Sequence, residues 1–463
     1  MYTQFLLVGA TCMTKLNNNL DVRVLGRRTL LRAAVTGVAA SAGLSTMRLW
    51  GADIDSAYGG KLLVTLQLDG GVDVTQLCDP KVNIPGERKI NHWADTAEPG
   101  QIGNISYAPI AANEQLFRRF GADTLVINGV DTQTNSHETG RLFNWTGSNA
   151  EGQPSLSALF AASQSPDQPL AYSVYGGFSR TGGLISLNRF DDIADMALLA
   201  QPSVDPNTKQ PLREASDVER SHALVQADID RLLMQPQLSV RQRLSMLRYK
   251  ESRSSRDGLQ RLAALIPARD QIVPGVDFEA GGQRFWSNLK RQMQGALMVF
   301  KSGLGSAADL SLGGFDSHNE HDTINAALLT HLGDALNYFW DEAENLGLAD
   351  RIVLVVGSDF GRTNHYNDGN GKDHWNVGSY MVMERGAAWG DRVAGLSDEL
   401  HFAQPINPLT LKADRRGVIP TPAHVHQSLR DYLGLTGFAQ DQSLDLDSVE
   451  SLPFFDPFVS SSS

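Results

Sequence analysis

Arg351-Ile352-Val353-Leu354-Val355-Val356, followed at once by Gly357-Ser358-Asp359-Phe360-Gly361-Arg362, is the stretch that decides the fold. Its continuous aliphatic run reads as a strand covered on both faces, the pattern of a central parallel strand. Asp359 then falls at the strand's carboxyl end, where open α/β sheets bind their ligands. Upstream, Asp322–Leu346 repeats Ile324, Leu328, Leu332, Ala335, Phe339 and Ala343 at helical spacing, which predicts an amphipathic helix packed on the sheet. Downstream, Ser379–Met383 reads as a further strand and Pro422–Leu433 as a closing helix.

Toward the N-terminus the alternation continues. Lys61–Leu68, Thr124–Asn128 and Leu170–Tyr175 read as strands, and Ser155–Ser163 and Gln283–Phe300 as helices. Leu212–Ile266 is helical and charged, punctuated by Pro211, Pro236 and Pro267. Residues from about 190 to 281 are expected to form a helical cap or insertion. Strands alternating with helices predict an α/β fold: a three-layer sandwich with a mostly parallel central sheet flanked by helices. A single domain is expected from residue 58 to 457, with a disordered Ser-rich tail at 458–463.

The first 57 residues read as an export signal. Gly26-Arg27-Arg28-Thr29-Leu30-Leu31-Arg32 sets paired arginines before the mildly apolar run Ala33–Leu44, with a small-residue exit near Asp55-Ser56-Ala57. The expected partner during export is the twin-arginine translocase, which carries folded proteins, and the expected location is periplasmic or secreted. No later stretch is apolar enough to span a bilayer. The net charge of −12, with no basic tract after the signal, argues against nucleic acid and anionic membranes as partners. Of the two cysteines, Cys12 lies upstream of the signal, which leaves Cys78 alone and excludes a disulfide framework or a cysteine-based zinc site.

Chemistry-bearing residues gather at the predicted strand ends. Asp69 and Asp73 follow the first strand, Asp131 the second and Asp359 the central one. Asp316 and His318, two residues apart in an extended Gly-Phe-Asp-Ser-His loop, point the same way and can reach one ion; a helix cap with an incidental histidine is the alternative. Asp359 suits a metal ligand, a base or a strand-end turn. In Lys372-Asp373-His374-Trp375, His374 suits a ligand, with Asp373 as its orienter or as a ligand itself. Thr132-Gln133-Thr134-Asn135-Ser136-His137-Glu138 offers a hydroxyl at a helix N-terminus, either a metal-activated nucleophile or a cap. Mixed Asp/His sets suit zinc, manganese or iron, and carboxylate-rich sets suit magnesium or calcium. Cys78-Asp79-Pro80-Lys81-Val82 is set aside as a sulfatase-type Cys-x-Pro-x-Arg motif, because Val82 stands in the arginine position.

Taken in order, Gly-Phe-Asp-Ser-His at 314–318, Ser-Asp-Phe-Gly-Arg-Thr at 358–363 and Gly-Lys-Asp-His-Trp at 371–375 resemble the motifs of the family catalogued as domain of unknown function 1501. The Asp-Gly-Gly-Val-Asp turn at 69–73 and Asn-Ser-His-Glu at 135–138 also fit. The resemblance implies an alkaline-phosphatase-like fold, shared with phosphatases, sulfatases and phosphodiesterases, and a divalent metal at the strand ends: zinc, or alternatively manganese, magnesium or calcium. It matches Asp69 or Asp73 to the ligand after the first strand, Asp316 and His318 to an Asp/His pair, Asp359 to the acidic residue of the central strand, and His374 to the last histidine. Ser136 is the preferred match to the nucleophile and Thr134 the second. His137 joins the catalytic candidates; Asp373 and Arg362 stand behind the ligands. Phe360 occupies a position where active members of that superfamily commonly carry histidine, which opens a single-metal or vestigial site. The expected activity is hydrolysis of a small anionic or glycan-linked phosphate or sulfate ester. The alternative is a non-catalytic exported binding protein that keeps the fold.

Overall fold

The computed structural model describes residues 57–459 except 202, 206, 207, 209, 240, 241, 244, 248, 251–255, 447 and 448. The paired arginines at 27 and 28, the apolar run Ala33–Leu44 and the end of the Ser-rich tail lie outside the described residues. Eight strands form the main sheet: β1 (Leu62–Asp69), β2 (Thr124–Asp131), β3 (Tyr172–Val174), β4 (Leu187–Arg189), β5 (Ala307–Gly313), β6 (Ile352–Ser358), β7 (Val377–Glu384) and β8 (Arg392–Gly395). Their spatial order is β8-β2-β7-β6-β1-β5-β3-β4. The strands from β6 to β4 run parallel to their neighbours, and so do β8 and β2. β7 alone runs against both of its neighbours. It follows β6 without an intervening helix, and a parallel return needs a long crossover that this connection lacks.

Side chains alternate between the two faces of the sheet, as the pleat requires. Leu62, Val64, Leu66 and Leu68 of β1, with Ile352, Leu354 and Val356 of β6, pack beneath two helices, α3 (Leu289–Ser302) and α4 (His321–Asn345). Leu63, Val353 and Val355 face the opposite layer, which contains α2 (Leu156–Gln164) and α5 (Pro422–Tyr432). Fully covering both faces explains why β6 reads as an unbroken apolar run. The sequence patterns thus produce the expected three-layer α/β sandwich.

Two expectations need correction. Gln283–Phe300 is not one helix: Gln283–Ser287 is a strand paired antiparallel with Val276–Ala280, and α3 starts only at Leu289. Gly281 and Gly282 have φ of +56° and +72°, the left-handed pair that a tight two-residue hairpin turn demands. That hairpin also means that residues 190–281 are not purely helical. The helices Ile193–Ala200 and Arg256–Leu265 in this region seat Ile193, Met196 and Leu262 against Met298, Val299 and Leu304. The region is therefore anchored on α3 through its own apolar cluster. The described residues form one compact unit. Among the described residues, no helix is long and apolar enough to cross a membrane.

One further helix positions the site: α1 (His137–Thr146), which follows β2. Gly140 lets it rest on the end of β6, because a Cβ there would lie 2.4 Å from the carbonyl oxygen of Asp359. His137 and Arg141, one turn apart, are thereby held over the strand ends.

Candidate metal centre

The carboxyl ends of β1, β5 and β6 lie along one edge of the sheet, and β2 and the segment leading into β7 reach the same edge. Chain distant in sequence converges there. Three imidazoles surround the Asp316 carboxylate. His318 Nε2 lies 3.0 Å from Asp316 Oδ1, His374 Nε2 3.2 Å from the same oxygen, and His137 Nε2 3.5 Å from Oδ2. The Nε2 atoms of His318 and His374 are themselves 3.2 Å apart. His137, Asp316 and His374 each offer a ligand atom within 4.8 Å of the others, the one such group of three among the described residues, and His318 flanks it.

The other nitrogen of each ring is occupied. His137 Nδ1 is 2.6 Å from Asp359 Oδ2, His318 Nδ1 2.6 Å from Asp373 Oδ1, and His374 Nδ1 2.8 Å from the carbonyl oxygen of Asn135. These oxygens accept a hydrogen bond from each Nδ1–H, and in a neutral ring so held the lone pair lies on Nε2, the atom that faces Asp316. Metal-binding histidines are oriented in this way, by a carboxylate or carbonyl behind the ring. Neighbouring donors of a tetrahedral zinc at ~2.1 Å are ~3.4 Å apart, and the spacings of Asp316 from the three Nε2 atoms and of His318 from His374 are of that size. Phe360, fully buried, supports the rings from below: its centroid is 4.8 Å from that of His137 and 4.6 Å from that of His374. The residue that stands in a histidine position of the resemblance thus serves as the apolar floor of the cluster.

Arg362 fixes the carboxylate. Its buried guanidinium donates to Asp316 Oδ1 at 2.6 Å, to the Gly71 carbonyl at 2.9 Å, to the Lys372 carbonyl at 3.0 Å and to the Gly70 carbonyl. One side chain thereby ties the β1 turn and the loops of Asp316 and His374 together. Partial burial alone would raise the Asp316 carboxyl; the hydrogen bond and charge of Arg362, with His374 and His318, outweigh it and hold it at about 2. Asp373 is lowered chiefly by its hydrogen bond to His318.

Not every predicted residue joins this set. Asp73 does not: it is fully buried, 2.6 Å from Lys372 Nζ and 2.9 Å from His321 Nε2. Burial would raise its carboxyl, but Lys372 and His321 drive it well below the usual carboxylate range. His321 Nδ1 lies 2.7 Å from Ser317 Oγ, and Lys372 also donates to Asn91 Oδ1 at 3.1 Å. Asp73 is therefore corrected from candidate ligand to the centre of a buried network. That network grips Ser317, between Asp316 and His318, and Lys372, two residues before His374.

Asp359 stands behind His137 as its hydrogen-bond acceptor. Burial raises its carboxyl against the opposing pull of His137. Asp69 stands apart from the imidazoles, held by Gln67 Nε2 at 2.9 Å and Arg141 Nε at 2.8 Å. Asp131 closes its own turn, accepting from the Gln133 amide and Asn376. Ser136 is exposed at the N-cap of α1 and its side chain makes no capping bond, and the Thr134 hydroxyl accepts from the Ser136 amide. His137, expected among the catalytic groups, lies in the imidazole set. Arg141 and His321 were not singled out from the sequence, and Lys372 was given no role of its own. Their spacings, Arg141 four residues after His137 and Lys372 directly before Asp373-His374, were the available signals.

A search of curated proteins found no match to this chain. Among solved structures, the chain is similar to the PsFucS1 sulfatase from Pseudoalteromonas sp., at 12% identity over 87% of this chain and 72% of that one, with a TM-score of 0.33. It is similar to the phosphonate monoester hydrolase of Agrobacterium radiobacter, at 11% identity over 81% and 74%, with a TM-score of 0.32. It is also similar to a protein in the alkaline phosphatase superfamily from Vibrio parahaemolyticus, at 9% identity over 81% and 66%, with a TM-score of 0.32. Likeness at this distance assigns neither substrate nor residue roles. The family model described as "Protein of unknown function (DUF1501)" matches residues 206–417, so the resemblance to that family holds across the segment that carries Asp316, His318, Asp359, Arg362 and His374.

Proposed function

We propose that the chain is an exported hydrolase of phosphate or sulfate esters that works with one divalent metal ion held by His137, His318, His374 and Asp316. The observation that carries this reading is the convergence of three oriented Nε2 atoms on one carboxylate. A three-nitrogen, one-oxygen donor set suits zinc first among the metals considered. When bound, such an ion supplies Lewis-acid polarisation and an acidified water.

The chain's own residues do the rest. Asp359, Asp373 and the Asn135 carbonyl keep each ring's proton on Nδ1 and away from the ion. Arg362 holds the Asp316 carboxylate in its ionised form. Neutral imidazoles and one carboxylate leave a divalent ion with net positive charge, which with Arg141 nearby favours an anionic ester oxygen over a neutral substrate. Phe360 excludes water from beneath the rings. Ser136, exposed at the start of α1, is the hydroxyl proposed as nucleophile, with Thr134 second. Export in the folded state, read from residues 26–32, suits a protein whose ion is loaded before translocation.

The test is a screen of the zinc-loaded chain on p-nitrophenyl phosphate, phosphodiester and sulfate substrates. Turnover of one class, lost in Asp316→Ala, is the expected result. Stoichiometric zinc with no turnover of any of them would refute hydrolysis of these esters and favour the binding-protein reading.

A further inference from the structure

Beside the imidazole set lies a second meeting of acidic groups. Asp69 and Asp359 end the adjacent parallel strands β1 and β6, and both are approached by the same two donors. Gln67 Nε2 lies 2.9 Å from Asp69 Oδ1 and 3.1 Å from Asp359 Oδ1. Arg141 Nε lies 2.8 Å from Asp69 Oδ1 and 3.3 Å from Asp359 Oδ2. Both carboxylates therefore lie within 3.3 Å of one nitrogen and share its charge. Here the charge they share is a guanidinium. Asp359 is fully buried, whereas the Arg141 side chain is 35% exposed, so the guanidinium sits at the mouth of the pair. It stands on the same face of α1 as His137, one turn along.

We propose that Arg141 occupies the place of a second cation: its single positive charge offsets the repulsion between Asp69 and Asp359 and limits the centre to one divalent ion, and its exposed edge is offered to an anionic oxygen of the substrate. This deepens the function proposed above and rests on it. The physical reason is electrostatic. Two carboxylates this close repel one another, and a single shared cation relieves the repulsion whether it is a metal or an arginine. Arginine differs from a metal in what it then does. It cannot activate water, but its planar fork recognises two oxygens of a phosphate or sulfate group. The site would therefore take a tetrahedral oxyanion between one ion and one guanidinium.

The experiment is calorimetric titration of the metal-free full chain with zinc chloride alone, followed by inorganic phosphate. Wild type is expected to bind one zinc ion. Arg141→Gln, which removes the charge, is expected to bind two, the second more weakly, and to lose tenfold or more in phosphate affinity. Arg141→Lys, which keeps the charge but not the fork, is expected to stay at one ion and still bind phosphate less tightly. Arg141→Met reads the same outcome as the glutamine variant should that variant not fold. Two ions in wild type would overturn the inference while leaving a metal-dependent hydrolase standing. One ion in both wild type and Arg141→Gln, with unchanged phosphate affinity, would reduce Arg141 to a structural ion pair and also overturn it. No zinc bound to wild type would remove the reading on which the inference rests.

Discussion

Replacing Lys372 with methionine is expected to destabilise the fold by about 3–5 kcal/mol, because it strips the buried Asp73 carboxylate of its lysine charge and leaves it hydrogen bonds such as that to His321. Both side chains are fully buried, 2.6 Å apart. The loss should appear as a lower urea midpoint and, below that midpoint, as weaker zinc binding, because Lys372 lies two residues before His374. The double variant Lys372→Met/Asp73→Asn should recover most of the stability. Asparagine removes the stranded charge and can still accept from His321 Nε2, 2.9 Å from the native carboxylate. Equal destabilisation in the single and double variants would mean that shape rather than charge compensation holds this network. A stability loss under about 1 kcal/mol would mean that the network is not a stabilising feature.

The second large effect concerns the centre itself. His374→Ala is expected to lower zinc affinity by about a thousandfold or more, a loss of about 4 kcal/mol at 1.4 kcal/mol per factor of ten. It removes one of four donors and leaves its backing acceptor, the Asn135 carbonyl, without its partner. Stability should fall far less than in Lys372→Met, because the ring is partly exposed and Phe360 keeps its contact with His137. Competition titration against a chromogenic chelator reads the affinity directly. An affinity within threefold of wild type would show that His374 is not a ligand.

The contrast between these two variants separates what holds the loops from what holds the ion, and the same division marks what the sequence makes legible. β6 and α4 are readable because each is a long, periodic element whose pattern follows from a packed face. Asp316, His318 and His374 stand out because they sit in short motifs just past such elements. The second strand of the hairpin, Gln283–Ser287, is misread as helix, since Phe285 and Trp286 continue the apolar count into α3. Gly281-Gly282 is the local cue that overrides that count. The pairing partners are not local at all. His137 meets Asp359 across 222 residues, and Lys372 meets Asp73 across 299. Periodicity says nothing about contacts at that range. For this reason Asp73, plausible as a ligand from its place after β1, belongs to a buried network. His137, plausible as a catalytic group, is instead aimed at the candidate ion.

Arg362 carries a similar lesson. In sequence it is one residue of a strand-end motif, and its role as an outer partner of the ligands follows from resemblance. In the fold it hydrogen-bonds to Asp316, to Gly70 and Gly71, and to Lys372. The loops that carry the donors are thus joined to one another through a single buried guanidinium. Preorganisation of this kind lets a partly exposed set of imidazoles hold its geometry.

The most direct measurement is X-ray absorption at the zinc edge of the reconstituted full chain. The expected spectrum has a first shell of three imidazole nitrogens and one carboxylate oxygen at ~2.0–2.1 Å, with one further oxygen from an exchangeable water, and multiple-scattering features from three rings that fall to two in His318→Ala. A six-coordinate shell of oxygens, or a first shell with fewer than two imidazoles in the wild-type chain, would contradict the assignment of His137, His318, His374 and Asp316 as the metal centre.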